Sequence, residues 1–256
     1  MPLQTWWGET ALPAGPGRVW HIGPLRLELR RGAGEVVVRW WGTQDALDES
    51  LVVDESEGEP FPAAQEERLV VDCETVTLEP VLCDLAVVAR SEEPLTLPVG
   101  ATVTAYVSSP VFVRLRCGTA VWEAPTHRLS DTWFGPNTRE GELAYASRTH
   151  LKLDPSNVLR RPHRAFTPVV LDNQGDGPMT VDRIRVPVPR LTLYAGIDAM
   201  WTSTVRLERR RGDEALVRVL PGSPPECAGG TLLAEPRRFG EPHAVLRVFS
   251  LLEKMR

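Results

Sequence analysis

The 256-residue sequence predicts an all-β fold, made of one or two antiparallel β-sandwich units with few or no helices. Three observations carry this. Apolar and polar residues alternate with period two, the period of a half-buried strand. Glycine- and proline-rich turns separate these stretches at roughly ten-residue intervals, the spacing of an all-β sandwich. Twenty-three prolines leave little uninterrupted chain for long helices.

The first element is the segment Leu25 to Arg30, in which Leu25, Leu27 and Leu29 face one way and Arg26, Glu28 and Arg30 the other. Gly32-Ala33-Gly34 then turns the chain, and Val36, Val38 and Trp40 resume an apolar face. A short glycine-rich connection suits a hairpin, because glycine tolerates the positive φ such loops need. Trp6-Trp7-Gly8 and Trp40-Trp41-Gly42 repeat one tripeptide. Neighbouring residues of a strand point to opposite faces, so covered rings in both pairs require strands lying between two layers. The acidic run from Asp45 to Glu59 reads as a solvated loop or edge, without calcium-loop spacing.

Further strands are expected over 69–78, 81–89, 102–107, 111–117 and 120–123. In the fourth, Val111, Val113, Leu115 and Cys117 point inward and Arg114 and Arg116 outward. Beyond residue 150 come 167–171, 179–188, 191–194, 200–209, 215–220 and 244–252. The last residues, Leu-Leu-Glu-Lys-Met-Arg, and parts of 139–151 carry the only helical pattern. Segments 78–97 and 166–181 share an apolar-Pro-Val start, a polar turn and a Pro-x-Thr-Leu/Val restart, suggesting a weak internal repeat. On that organisation residues 1–126 form an N-terminal unit and 127–256 a C-terminal unit, packed separately or as one domain.

Composition excludes several function classes. The net charge of -5 lacks the basic footprint of a nucleic-acid binder. Only Lys152 and Lys254 are lysines, which leaves little room for Schiff-base chemistry. Cys73, Cys83, Cys117 and Cys227 form no C-x-x-C pair and read as free buried thiols, with Cys73 and Cys83 the two that a hairpin would oppose. The five histidines show no metal-ligand spacing, and no glycine pattern marks a nucleotide site. No cofactor and no metal are expected. The N-terminus is not a secretory signal and no apolar run approaches the ~20 residues that span a bilayer. The expectation is a cytoplasmic protein without direct membrane insertion.

The segment His127 to His150 breaks the alternation with turn formers, mixed charges and two adjacent aromatics, Trp133 and Phe134. Binding residues concentrate in such interruptions. Arg128, Asp131, Trp133, Phe134, Arg139, Glu140 and Tyr145 form the candidate interaction loop, since aromatics and arginines carry most binding energy at protein interfaces. The competing arrangement buries Trp133 as a corner of the sandwich. His127, Ser130 and Asp131 are too close in sequence to be read as a triad, and no nucleophile elbow is present. Arg160-Arg161-Pro162-His163-Arg164 and Arg209-Arg210-Arg211 read as solvated charge at strand ends.

Asp131-Thr132-Trp133-Phe134-Gly135 and Gly141-Glu142-Leu143-Ala144-Tyr145-Ala146, with Gly23-Pro24-Leu25 and Thr167-Pro168-Val169…Asn173…Pro178, resemble the domain-of-unknown-function family numbered 432 of archaea and bacteria. The resemblance covers nearly the whole chain and implies kinship rather than chemistry. It also implies an association with membrane channels of the small-conductance mechanosensitive type. The leading expectation is therefore a non-enzymatic accessory protein with a protein partner, a membrane protein among the candidates, and with homo-oligomers compatible. The alternatives are an enzyme acting on a small polar ligand at the junction of the halves, with His127, Asp131, Glu140 or Glu142 as acid or base, and a carbohydrate-binding sandwich.

Overall fold

The computed structural model describes residues 3, 5–43, 45, 48–56, 65–135, 139–147, 149–158, 160–211, 214–239 and 244–247. Among them the chain is all-β. The strands are β1 (Gly8–Ala11), β2 (Gly17–Ile22), β3 (Leu25–Arg31), β4 (Val36–Gly42), β5 (Leu51–Ser56), β6 (Gln65–Leu69) and β7 (Thr75–Leu82). They continue as β8 (Val87–Leu97), β9 (Thr102–Cys117), β10 (Ala120–Pro125), β11 (Asp131–Phe134), β12 (Glu142–Ala146) and β13 (Arg164–Asn173). The last seven are β14 (Met179–Val186), β15 (Leu193–Ala195), β16 (Met200–Thr202), β17 (Val205–Arg211), β18 (Glu214–Val219), β19 (Thr231–Ala234) and β20 (Ala244–Arg247). Short 3-10 turns at Pro155–Asn157, Val188–Arg190 and Pro225–Cys227 are the only helical pieces among the described residues.

Two compact units emerge, each assembled from three stretches of chain. The first comprises Met1–Val81, Pro110–Arg128 and Arg160–Arg164; the second Leu82–Ser109, Leu129–Leu159 and Ala165–Arg256. Strand β9 serves both, residues 102–109 in the second and 110–117 in the first.

In the first unit a five-stranded antiparallel sheet, β5-β2-β3-β4-β6, faces β1-β7-β9-β10. Trp40 of β4 meets Trp122 of β10 edge-on at 4.9 Å between ring centroids, a favoured aromatic geometry. Leu25, Leu27, Leu29, Val111, Val113, Leu115 and Cys117 are buried as their alternation requires. Arg114 and Arg116 turn outward and pair with Glu123 and Glu79. Trp6 is buried and Trp7, Trp40 and Trp41 are half-buried; Trp6 and Trp7 precede β1, while Trp40 and Trp41 lie in β4. The β3–β4 hairpin has the expected turn, with Gly34 at φ +76°. Part of the acidic run forms the edge strand β5; residues 46, 47 and 57–59 of it lie outside the described residues.

The second unit contains the sheet β11-β12-β8-β14 and a second sheet in which β9 flanks β13. β13 in turn pairs with β16, followed by β15 and β19, and with β17, followed by β18 and β20. Val87, Ala89, Val181, Ile184 and Val186 of the first sheet, and Val169, Leu171, Met200, Val205 and Leu207 of the second, are sealed from solvent. Asn173 ties strand ends together, its side-chain amide donating to the carbonyls of Leu97, Pro98 and Gly177. Tyr106 donates to Glu226 at 2.6 Å, and burial together with that bond pushes its phenol up to about 12.

Several sequence expectations need correcting. The stretch 69–78 is a strand end, a turn and a strand start, because Leu69 closes β6 and Thr75 opens β7. Likewise 81–89 straddles the break between β7 and β8, and 200–209 is interrupted between β16 and β17. Segments 102–107 and 111–117 run together as β9, since Ser108, Ser109 and Pro110 continue the extended backbone and are buried. The helical pattern within 139–151 is strand β12; that of the last six residues lies outside the described residues. The repeat segments do not take equivalent places in two units, for β8 and β14 are antiparallel neighbours in one sheet.

The cysteines differ as well. Cys73 and Cys117 form a disulfide, with 6.0 Å between α-carbons, while Cys83 and Cys227 are buried and in no disulfide. Cys73 precedes β7 and Cys117 ends β9, and β7 and β9 are neighbours, which brings together residues 44 positions apart. The basic cluster at 160–164 is solvated only at Arg160. Arg161, His163 and Arg164 are buried in the first unit, where Arg161 pairs with Glu49 at 3.3 Å. His163 lies against Gly23, whose φ is +57°; a β-carbon there would stand 2.1 Å from the imidazole Nδ1.

Candidate functional site

The interruption at 127–150 is a β-hairpin lying mostly in the second unit. β11 and β12 run antiparallel, with Asp131 opposite Tyr145, Thr132 opposite Ala144, Trp133 opposite Leu143 and Phe134 opposite Glu142. β12 joins β8 in parallel, leaving β11 at the edge of its sheet. Gly135 and Gly141 make the close approach possible. A β-carbon on Gly135 would stand 2.0 Å from the Glu140 carbonyl oxygen, and one on Gly141 2.6 Å from the Trp133 indole nitrogen. Those two glycines end the first and begin the second of the segments that carry the family resemblance.

Alternation along the hairpin separates its two aromatics. Phe134 is buried with Ala86, Val88 and Ala144 on one face, and the Arg183 guanidinium lies 5.2 Å from its ring centroid. Trp133 points to the other face and is 43% exposed. Directly across from it, Leu143 is 50% exposed. An apolar cross-strand pair is thus left in solvent, although such pairs are what stabilise a sheet when covered. Asp131 and Tyr145 occupy the next register position on that face. Tyr145 donates to Asp84 at 2.9 Å, and burial, with that bond, raises its phenol above the ordinary tyrosine range.

Of the seven residues proposed from sequence, Asp131, Trp133 and Tyr145 share this face, and Phe134 packs on the opposite one. Arg139 and Glu140 are exposed ahead of β12; residues 136–138 lie outside the described residues. Arg128 is exposed at the end of a stretch belonging to the first unit. Among the acid–base candidates, His127 is buried in the first unit with its ring edge-on to His163, 6.0 Å between centroids. Glu142 is engaged by Arg185. Sequence reasoning missed Leu143, although its position two residues before Tyr145 placed it on the same face of any strand.

It also missed a cavity of about 100 Å³ on the Phe134 side of the sheet, lined by Val88, Arg90, Thr132, Ala146, Ser147, Thr149, His150 and Arg183. These residues come from three separate parts of the chain, so no local pattern announces them. No group of three or more His, Cys, Asp or Glu suited to a metal ion occurs among the described residues.

Several β-sheets, with an apolar pair displayed on an edge hairpin, define the chain as an all-β protein. The chain belongs to the family described as protein of unknown function (DUF432), whose model matches residues 6–253. Comparison with curated proteins and with solved structures finds no match. No helix among the described residues is long and apolar enough to cross a membrane.

Proposed function

We propose that this protein is a non-enzymatic accessory protein that docks a protein partner through the β11–β12 hairpin. The exposed register pair Trp133–Leu143 carries the reading. Tryptophan is enriched among binding hot spots, and an indole with an aliphatic neighbour offers a compact apolar core. Asp131, Arg139 and Glu140 supply the polar surround that such a core needs. β11 is the terminal strand of its sheet among the described residues, the position at which a partner strand would add.

The partner class to try first is a membrane channel of the small-conductance mechanosensitive type, with this chain on its cytoplasmic side. The Cys73–Cys117 bond bears on compartment, because disulfides persist in oxidising compartments and in the cytoplasm of hyperthermophiles. The decisive experiment purifies the full chain and such a channel from one organism and measures binding directly. Wild type should bind, and the double variant Trp133→Ala/Leu143→Ala should lose about tenfold or more in affinity, the scale of one hot spot. Its melting temperature should stay near that of wild type. Equal binding by both proteins rejects the hairpin as the docking surface, and no binding by wild type rejects this partner class.

A further inference from the structure

The cavity behind the hairpin holds charge of one sign. Arg90 of β8 and Arg183 of β14 are directly opposed in the antiparallel register, and both line it. Like charges placed opposite each other across a sheet are destabilising. Elsewhere this protein sets carboxylates against its arginines. Arg39 faces Glu66 across β4 and β6, and Arg114 faces Glu123 across β9 and β10. A second arginine pair in register, Arg206 and Arg218, has Asp172 bound to Arg206. For Arg90 and Arg183 the described residues provide no such carboxylate, and no acidic residue lines the cavity.

The remaining lining suits an anion as well. Thr132, Ser147, Thr149 and His150 present hydroxyls and an imidazole. Ser147 and Thr149 are spent on the loop: their hydroxyls lie 3.1 Å apart, and the single Ser147 proton has the carbonyls of Ser108 and Thr149 within reach. Thr132 and His150 remain to meet a ligand. Arg183 is half-buried and held over the Phe134 ring, and its Nε is buried with no hydrogen-bond partner among the described residues. A buried donor without an acceptor is destabilising. A volume of about 100 Å³ exceeds the ~30 Å³ share of a single water, and so admits a group of several heavy atoms.

We infer that this cavity is a binding site for a phosphate group, gripped by Arg90 and Arg183 and oriented by Thr132 and His150. Guanidinium forks match the oxygens of phosphate bidentately, and two forks from adjacent strands converge on one tetrahedral ion. The inference is independent of the docking reading, because it uses the opposite face of the hairpin and other residues.

Calorimetric titration of the full chain tests it, with inorganic phosphate, glycerol phosphate and acetate as separate probes against a chloride background. Saturable binding of a phosphate probe, stronger than of acetate, is expected. Arg90→Gln and Arg183→Gln should each weaken it by roughly tenfold or more, the worth of a charge-assisted hydrogen bond, while Arg39→Gln leaves it unchanged. If inorganic phosphate binds more tightly the ligand is the free ion; if the ester does, the ligand is a phosphomonoester. Should an arginine variant fail to fold, the phosphate-dependent shift of the His150 imidazole signals in wild type, lost in His150→Asn, reads the same contact. No saturable binding, acetate binding as tightly as phosphate, or undiminished binding in the folded arginine variants would overturn the proposal.

Discussion

Replacing Gly23 by alanine tests the packing of the first unit at one atom. Gly23 turns the chain between β2 and β3 at φ +57°, a left-handed conformation that costs a residue with a β-carbon roughly 1–2 kcal/mol. The new methyl would also stand 2.1 Å from His163 Nδ1, 2.7 Å from Cε1 and 2.8 Å from Cγ, far inside contact distance. His163 has no exposed surface through which to retreat. Overpacking of this kind costs typically 1–3 kcal/mol, so Gly23→Ala should destabilise by roughly 2–5 kcal/mol in total. Gly34→Ala is the matched control, with φ +76° and nothing within 4 Å of the added carbon. It should show the backbone part alone, about 1–2 kcal/mol. Urea unfolding followed by tryptophan fluorescence and circular dichroism measures both. On a His163→Ala background the Gly23 substitution should cost less than on wild type, because the two residues share one contact. Equal losses for Gly23→Ala and Gly34→Ala, or strict additivity with His163→Ala, would refute the reasoning.

Three more outcomes follow from the structure. Phe134→Ala should cost about 3–5 kcal/mol, and Trp133→Ala less than about 1 kcal/mol, because only the first ring is buried; comparable losses from the two would mean that the hairpin faces are misassigned. Replacing Cys73 and Cys117 by serine should lower stability by about 4 kcal/mol, the chain-entropy value for residues 44 apart, and intact mass under non-reducing conditions should show wild type two hydrogens lighter than the reduced chain. Asp172 accepts from Arg206, Gln174 and Thr102, and the Arg206 bond foremost holds its carboxyl below the usual range despite burial. Its contribution is therefore present above the unfolded-chain value near 3.9 and lost as pH falls through the lower folded value. The stability gap between wild type and Asp172→Asn, measured in urea, should shrink from neutral to strongly acid pH; a constant gap would show that the carboxylate's charge is irrelevant.

Much of the local structure was legible, for a definite reason. Leu25, Leu27, Leu29, Val111, Val113 and Leu115 lie inward because a strand has one buried face and a period of two, and both are visible in a short window. Strand ends were less legible. Residues 69–78 read as a single strand because the turn between β6 and β7 carries Val70 and Val71, apolar residues no different in type from those of a strand. The basic run at 160–164 looked solvated because charge usually is, whereas burial of Arg161 and Arg164 depends on what surrounds them. The disulfide partner of Cys73 was out of reach for a related reason. Opposition of Cys73 and Cys117 requires β7 to lie beside β9, a long-range pairing that spacing does not encode.

The segment 127–150 shows the same division. By itself the sequence determined the fold class, the family and a turn-rich interruption bearing Trp133 and Phe134, since periodicity, turn residues and family motifs are all local signals; that the interruption is a hairpin was decided by strand pairing. Which aromatic is covered depended on the register of β11 against β12 and on β8 beside them, because the period of two sends adjacent residues to opposite faces without saying which face meets a core. The convergence of Arg90, Arg183 and His150 around one cavity was likewise decided by strand order. Residues from β8, from β14 and from the loop after β12 share a surface only once those strands have paired.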